Sequence, residues 1–158
     1  MKKDLTIEAI ILLHKAIETL KQGKVNRTLA YAMKRTTAAT QPIWDAVTEM
    51  EKPSPVLEVY IKALQGLIKD VGGITNQNGT ATIKPGDMEK FLAGELALKS
   101  LHPEAEKEIK EIDEALKSKV KETVEIDLHM ADCETLPEEI VGTVYDGLFP
   151  MMNEPKEK

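Results

Sequence analysis

Four side chains of the types that bind metals or move protons lie close together late in the sequence: Asp127, His129, Asp132 and Cys133. Asp127 and His129 stand two apart in a stretch where Val124, Ile126 and Leu128 alternate with Glu125, Asp127 and His129. On a strand this spacing aims a carboxylate and an imidazole to one side, where they could hold a metal ion or act as an acid/base pair. The same alternation also describes the solvated side of a half-buried strand, and that plainer reading is preferred. His14 and His102 are remote in sequence, and no His-Glu-x-x-His spacing brings two imidazoles to one zinc. His14 lies on or beside an apolar helix stripe and His102 precedes Pro103, so both read as structural. Cys133 is the only cysteine, which excludes an intrachain disulfide and a multi-cysteine zinc site. Gly72-Gly73 is not followed by Lys-Ser or Lys-Thr, so no phosphate loop is present. No catalytic set, metal site or cofactor site is expected, and the chain is expected not to be an enzyme.

The second set is cationic: Lys24, Arg27, Tyr31, Lys34 and Arg35. In a helix beginning near Asn26, Arg27, Tyr31, Lys34 and Arg35 fall at i, i+4, i+7 and i+8, which makes one basic face with an aromatic ring in it. Such a face could hold a phosphate backbone or an acidic protein surface. It could equally be a solvated helix face, or pair internally with the acidic helix around Glu104–Glu114. Arg27 is its most useful member, because a guanidinium holds a carboxylate with two hydrogen bonds.

The elements that must position these sets are mostly helices. Leu5, Ile7, Ile10, Leu13, His14, Ile17 and Leu20 recur at helical spacing up to Gly23. A second helix follows with Val25, Leu29, Met33 and Thr36, and Pro42 is expected to bend or split it before Ile43, Trp44 and Val47. Ser54-Pro55 is a helix start, with the serine as cap and the proline in the first turn. From Ile74 to Ile83 the chemistry becomes that of a hairpin turning at Asn78-Gly79. Asp87 is placed to cap a helix whose inner face uses Phe91, Leu92, Leu98 and Leu101. Pro103 opens the cleanest amphipathic helix, with Ala105, Ile109, Ile112, Leu116 and Val120 inward. Thr123 to Met130 is a strand. Thr135-Leu136-Pro137-Glu138 has the capping-box pattern and is expected to start a last helix through Val144 and Leu148.

The fold expected is therefore α+β and predominantly α: a helical bundle with a small antiparallel sheet made of the 74–83 hairpin plus strand 124–129. A single domain over residues 1–150 is followed by a polar tail, 151–158. The expected core is Ile10, Leu13, Ile17, Leu64, Leu67, Ile109, Ile112, Leu116, Val144 and Leu148.

With 158 residues, 42% of them hydrophobic and 30% charged, the chain is long enough for a real core and too interrupted by charge for a spanning helix. No membrane association is expected, and a cytoplasmic location follows. Residues 1–35 hold eight Lys or Arg against three Asp or Glu, a balance of +5, so the rest carries −11 to reach the overall −6. An acidic chain with six aromatic residues is poorly supplied for direct nucleic-acid binding.

The run Leu20-Lys21-Gln22-Gly23-Lys24-Val25-Asn26-Arg27 between two helices resembles small uncharacterised proteins of tailed bacteriophages and prophages. So do the hairpin leading into Met88-Glu89-Lys90-Phe91 and the order Ile112-Asp113-Glu114-Ala115-Leu116, strand Val124–His129, Leu136-Pro137-Glu138. The resemblance implies a small accessory or assembly protein, found in the host cytoplasm or the virion, with no agreed active site to carry over. Pro42 and the Lys52–Pro55 break depart from a continuous helical arm. The function expected is a non-enzymatic structural or interaction protein that self-associates or docks in an assembly, with another protein or a second copy as partner. The alternative is a regulatory module that inhibits a host defence or nucleic-acid enzyme through the acidic helix 103–120.

Overall fold

The computed structural model describes residues 1–76 and 80–153. The architecture is α+β and mainly α, with six α-helices and two short antiparallel strand pairs among the described residues. The chain forms two compact units, Met1–Met50 with Leu116–Lys158, and Glu51–Ala115. No helix of the described residues is long and apolar enough to cross a membrane.

The first unit begins with a strand, β1 (Lys2–Thr6), which leads directly into helix α1 (Ile7–Leu20). Leu5 was expected in that helix. It lies instead in the strand, because Thr6 keeps extended backbone and its hydroxyl accepts from the Ala9 N–H at 3.2 Å, fixing the helix start one residue later. Helix α2 (Arg27–Met50) starts at Asn26, whose side-chain oxygen accepts from the Leu29 N–H at 2.8 Å. It runs through Pro42 without splitting. The proline leaves the Ala38 carbonyl without its usual donor, but Thr36 and Thr40 before it and Val47 after it are buried and hold both halves against the core.

A strand covering Thr123–Asp127, which becomes β4 in chain order, pairs antiparallel with β1, Leu5 opposite Val124 and Lys3 opposite Ile126. The strand exists, but it ends at Asp127, short of the expected Leu128 and His129, and it does not extend the hairpin. Its partner is β1, whose Leu5 supplies the inward-facing residue opposite Val124. The last helix also starts later than expected, at Gly142 (α6, Gly142–Leu148). Pro137 keeps Leu136 extended, at φ −69° and ψ 150°. The Thr135 hydroxyl donates to the Asp132 carbonyl at 2.6 Å, closing a single 3₁₀ turn. Met151 and Met152, placed in the polar tail by sequence, are buried, and Ala131 pairs with this segment through its N–H to Met151 and its carbonyl to Asn153.

Ile10, Leu13, Ala16 and Ile17 of α1 meet Leu29, Ala32 and Met33 of α2, together with Ile126, Leu128 and Leu148. Helix α6 approaches α1 closely at Gly147, where a Cβ would lie 2.8 Å from Ala16 Cβ and 2.9 Å from the Leu12 carbonyl. His14 belongs to the same core. Its ring stacks on Trp44 with centroids 4.7 Å apart, and Nδ1 lies 3.2 Å from Thr40 Oγ. The Thr40 hydroxyl donates to the Thr36 and Thr37 carbonyls, so its oxygen accepts and Nδ1 of a neutral imidazole carries the proton. Burial lowers the His14 pKa below its usual value, against the nearby carboxylates of Glu18 and Asp45 and with the help of Lys21.

In the second unit, helix α3 (Pro55–Asp70) starts as expected. The Ser54 hydroxyl accepts from the Leu57 N–H at 3.2 Å and donates to Glu108 at 2.6 Å, while the Ser54 N–H donates to the other Glu108 oxygen at 2.9 Å. Gly72, at φ 70°, takes the left-handed conformation that ends α3. Strands β2 (Ile74–Thr75) and β3 (Ala81–Thr82) form the hairpin, with Ile74 opposite Thr82. The expected Asn78-Gly79 turn lies outside the described residues. Helix α4 (Met88–Leu101) follows a 3₁₀ turn, and Asp87 makes no side-chain cap bond. Helix α5 (Pro103–Lys119) carries Ala105 into a small core with Leu57 and Tyr60, flanked by Leu64, Leu98 and Ile112.

One expected core position, Ile109, and two expected inner-face positions of α4, Leu92 and Leu101, are exposed. Ile109 falls at the edge of the stripe centred on Ala105 and Ile112. Helix α4 is apolar on more than one side, so spacing alone does not define its inner face. Gly94 does, because a Cβ there would meet Leu67 Cδ1 at 2.5 Å.

Ser54→Ala removes a cap and takes the hydroxyl donor from one Glu108 oxygen, leaving the backbone N–H on the other, and should cost about 1–3 kcal/mol in urea unfolding. Combined with Glu108→Gln, the loss should be less than the sum of the two. For His14, the unfolded state binds a proton more readily than the folded one. Its contribution is therefore fully present above the ordinary pKa of 6.5 and is lost as pH falls below that value. Unfolding followed by Trp44 fluorescence should show the wild type losing stability between about pH 7 and about pH 5, and His14→Gln losing less over the same range.

Candidate functional site

Helix α2 turns one side to the core and the other to solvent. Leu29, Ala32, Met33, Thr36 and Thr40 occupy the inner side. The outer side carries Arg27, Tyr31, Lys34 and Arg35, all exposed, as the helical spacing predicts. Lys24 is exposed in the segment before the helix and adds charge near its start without sharing the face. Among the described residues, Lys24, Arg27, Lys34 and Arg35 make no ion pair, which leaves four cationic groups open to solvent and to ligands.

The ridge is flanked by two open depressions of the first unit. One, of about 370 Å³, lies beside Arg35, Ala38 and Ala39 and is completed by Met1, Asp127, Leu128 and His129. The other, of about 380 Å³, is lined by Lys21, Val25, Ala30, Met33, Lys34 and Thr37 and is largely apolar. This depression joins an apolar floor to a cationic rim, and the Thr37 hydroxyl oxygen is buried without a hydrogen-bond partner.

The structure thus brings together two sets that the sequence shows separately. Tyr31 meets His129 edge-on, with ring centroids 5.0 Å apart and planes at 84°, and Arg35 and Asp127 line the same depression. The His129 backbone is fixed by Thr36, whose hydroxyl lies 3.3 Å from the His129 N–H and 3.4 Å from its carbonyl. Asp127 is tied to the Met1 amino group at 2.8 Å. That hydrogen bond and its charge hold the carboxyl below the usual carboxylate range, with smaller help from Lys2 and Arg35.

Asp132 and Cys133 are not brought to this place. Asp132 accepts from the Asn153 side chain at 2.6 Å, and the Cys133 thiol contacts the Asn153 carbonyl at 3.5 Å. Among the described residues, no three His, Cys, Asp or Glu side chains are grouped so as to hold a metal ion. His14 stacks in the core and His102 contacts Tyr60 at 6.0 Å between centroids.

Sequence reasoning finds the α2 ridge through its periodicity but misses its flanks. Thr37 carried no signal, because a threonine in a helix ordinarily satisfies its hydroxyl on a preceding carbonyl. The Tyr31–His129 contact joins residues 98 positions apart and has no local signature.

Neither a family model, nor a curated protein, nor a solved structure matches this chain.

Proposed function

We propose that this protein is a non-enzymatic interaction module that docks an acidic protein surface on the outer side of α2 and works as part of an assembly. The observation that carries this reading is the row of exposed, unpaired cationic side chains on a helix whose opposite side is fixed in the core. Such a row loses little conformational freedom in its backbone on binding. Arg27 and Arg35 supply bidentate donors for carboxylates, Tyr31 supplies a rigid amphipathic contact, and Lys24 and Lys34 supply longer-range attraction. The depression beside Lys34 suits a partner whose carboxylates alternate with an apolar side chain.

A protein surface fits better than nucleic acid. The overall charge is −6, Asp127 stands in the depression beside Arg35, and Tyr31 is already engaged at its edge by His129, leaving little continuous base-stacking surface. The likeness to phage accessory proteins is the reason to place the assembly in a phage particle or an infected cell.

Arg27→Ala combined with Arg35→Ala tests the reading. Immobilised wild type should retain a partner from host lysate at about 50 mM salt and release it by about 500 mM, since exposed charges are screened over a few ångströms at high ionic strength. The double variant should retain roughly ten-fold less while melting within about 2 °C of wild type. Equal retention by both proteins contradicts the proposal.

A further inference from the structure

Helix α4 contributes no fully buried residue, although its sequence is among the most apolar in the chain. One side of it is used: Gly94 lies against Leu67 and Leu98 packs on the Leu57–Tyr60–Ala105 cluster. A second side is not. Met88, Leu92 and Leu96 stand at i, i+4 and i+8, forming one stripe, and their exposures are 39%, 55% and 68%. Single exposed leucines are ordinary on a protein surface, but a three-turn row on a helix with a second apolar side is the pattern of a helix covered from two directions.

We infer that this stripe is a self-association surface on which α4 of a second copy of the chain packs antiparallel. The charges of the helix select that occupant. Glu89 stands in the first turn and Lys99 in the last, and with Lys90 and Glu95 the helix carries two charges of each sign, so two copies are not repelled. A two-fold axis between Leu92 and Leu96 sets Leu92 of one copy against Leu96 of the other. Glu89 and Lys99 lie five residues to either side of that axis, so each Glu89 comes level with the second copy's Lys99, roughly 7 Å from the centre at the rise of an α-helix. Both residues are able to take part. Glu89 makes no ion pair among the described residues, and Lys99 is held on the surface by Glu95 at 3.0 Å, its pKa raised by that hydrogen bond. Antiparallel packing also opposes the two helix dipoles favourably. An acidic partner helix has no such match, because the stripe is bordered by Glu89 and Glu95.

The inference draws only on the second unit. It shares with the proposed function the premise of an interaction protein, but it concerns residues that the Arg27/Arg35 variant leaves untouched, so each can fail alone. The test uses the whole chain, with its mass in solution measured by sedimentation equilibrium over about 1–500 µM. Wild type should dimerise. Leu92→Asp with Leu96→Asp should weaken association roughly 100-fold or more while leaving the far-ultraviolet circular dichroism unchanged, since both side chains are exposed. Glu89→Lys alone and Lys99→Glu alone should each associate more weakly than wild type, because like charges then face each other in both homodimers. An equimolar mixture of the two single variants should recover a heterodimer, because both pairs become opposite in sign again. A wild type that stays monomeric throughout, or a dimer indifferent to the leucine and charge variants, overturns the inference. So does a mixture that fails to recover association.

Discussion

The burial of one stripe of α1 is the constraint on which the first unit depends. Ile10, Leu13 and Ile17 are fully buried, and burying three such side chains from water is worth roughly 5–9 kcal/mol before the cost of ordering the chain. Helices α2 and α6 both pack on this stripe, and strand β1 enters α1 without an intervening loop, so the position of β4 is also referred to it. Gly147 shows how close the approach is, since α6 has no room for even a methyl group where it crosses Ala16. The outer side of α2 is therefore a surface of fixed shape whose rotation about the helix axis is set by Leu29, Met33 and Thr36 beneath it.

That rotation explains why polar residues are tolerated in the core. Thr36 and Thr40 are buried, and each is used: Thr36 with the His129 backbone, and Thr40 with two helix carbonyls and the His14 ring. These bonds specify one register of α2 against its neighbours, where a purely apolar seam would accept several. Thr37 is the exception, with a buried hydroxyl that has no partner at the edge of the ridge. A buried hydroxyl without a partner is a local stability cost.

Much of the fold was legible, and the reasons are local. Ser54-Pro55 marked the start of α3 because a cap and a first-turn proline act within a few residues. The alternation of Val124, Ile126 and Leu128 marked β4 because a half-buried strand has a period of two. The start of β1 was not legible, since Lys2-Lys3-Asp4-Leu5-Thr6 has one apolar residue and becomes a strand only through a partner more than a hundred positions away. The capping-box pattern at Thr135 misled because Pro137 restricts the residue before it, an effect that overrides the side-chain motif. On α4 the difficulty was an excess of signal: with apolar residues on several sides, only Gly94 reveals which side the neighbour takes. Of the candidate site, the row from Arg27 to Arg35 was visible as helical spacing, whereas the depressions beside it depend on chain segments distant in sequence.

Recognition of acidic protein surface by the outer side of α2, as proposed above, requires its side chains to respond as a unit. Amide nuclear magnetic resonance spectra of the whole protein, titrated with short polyglutamate at low salt, test it directly. Shifts should concentrate at Arg27, Tyr31, Lys34 and Arg35, extend to His129 through its contact with Tyr31, and be suppressed by added salt. Shifts spread evenly over the lysines of both units, or absent from α2 altogether, would contradict it.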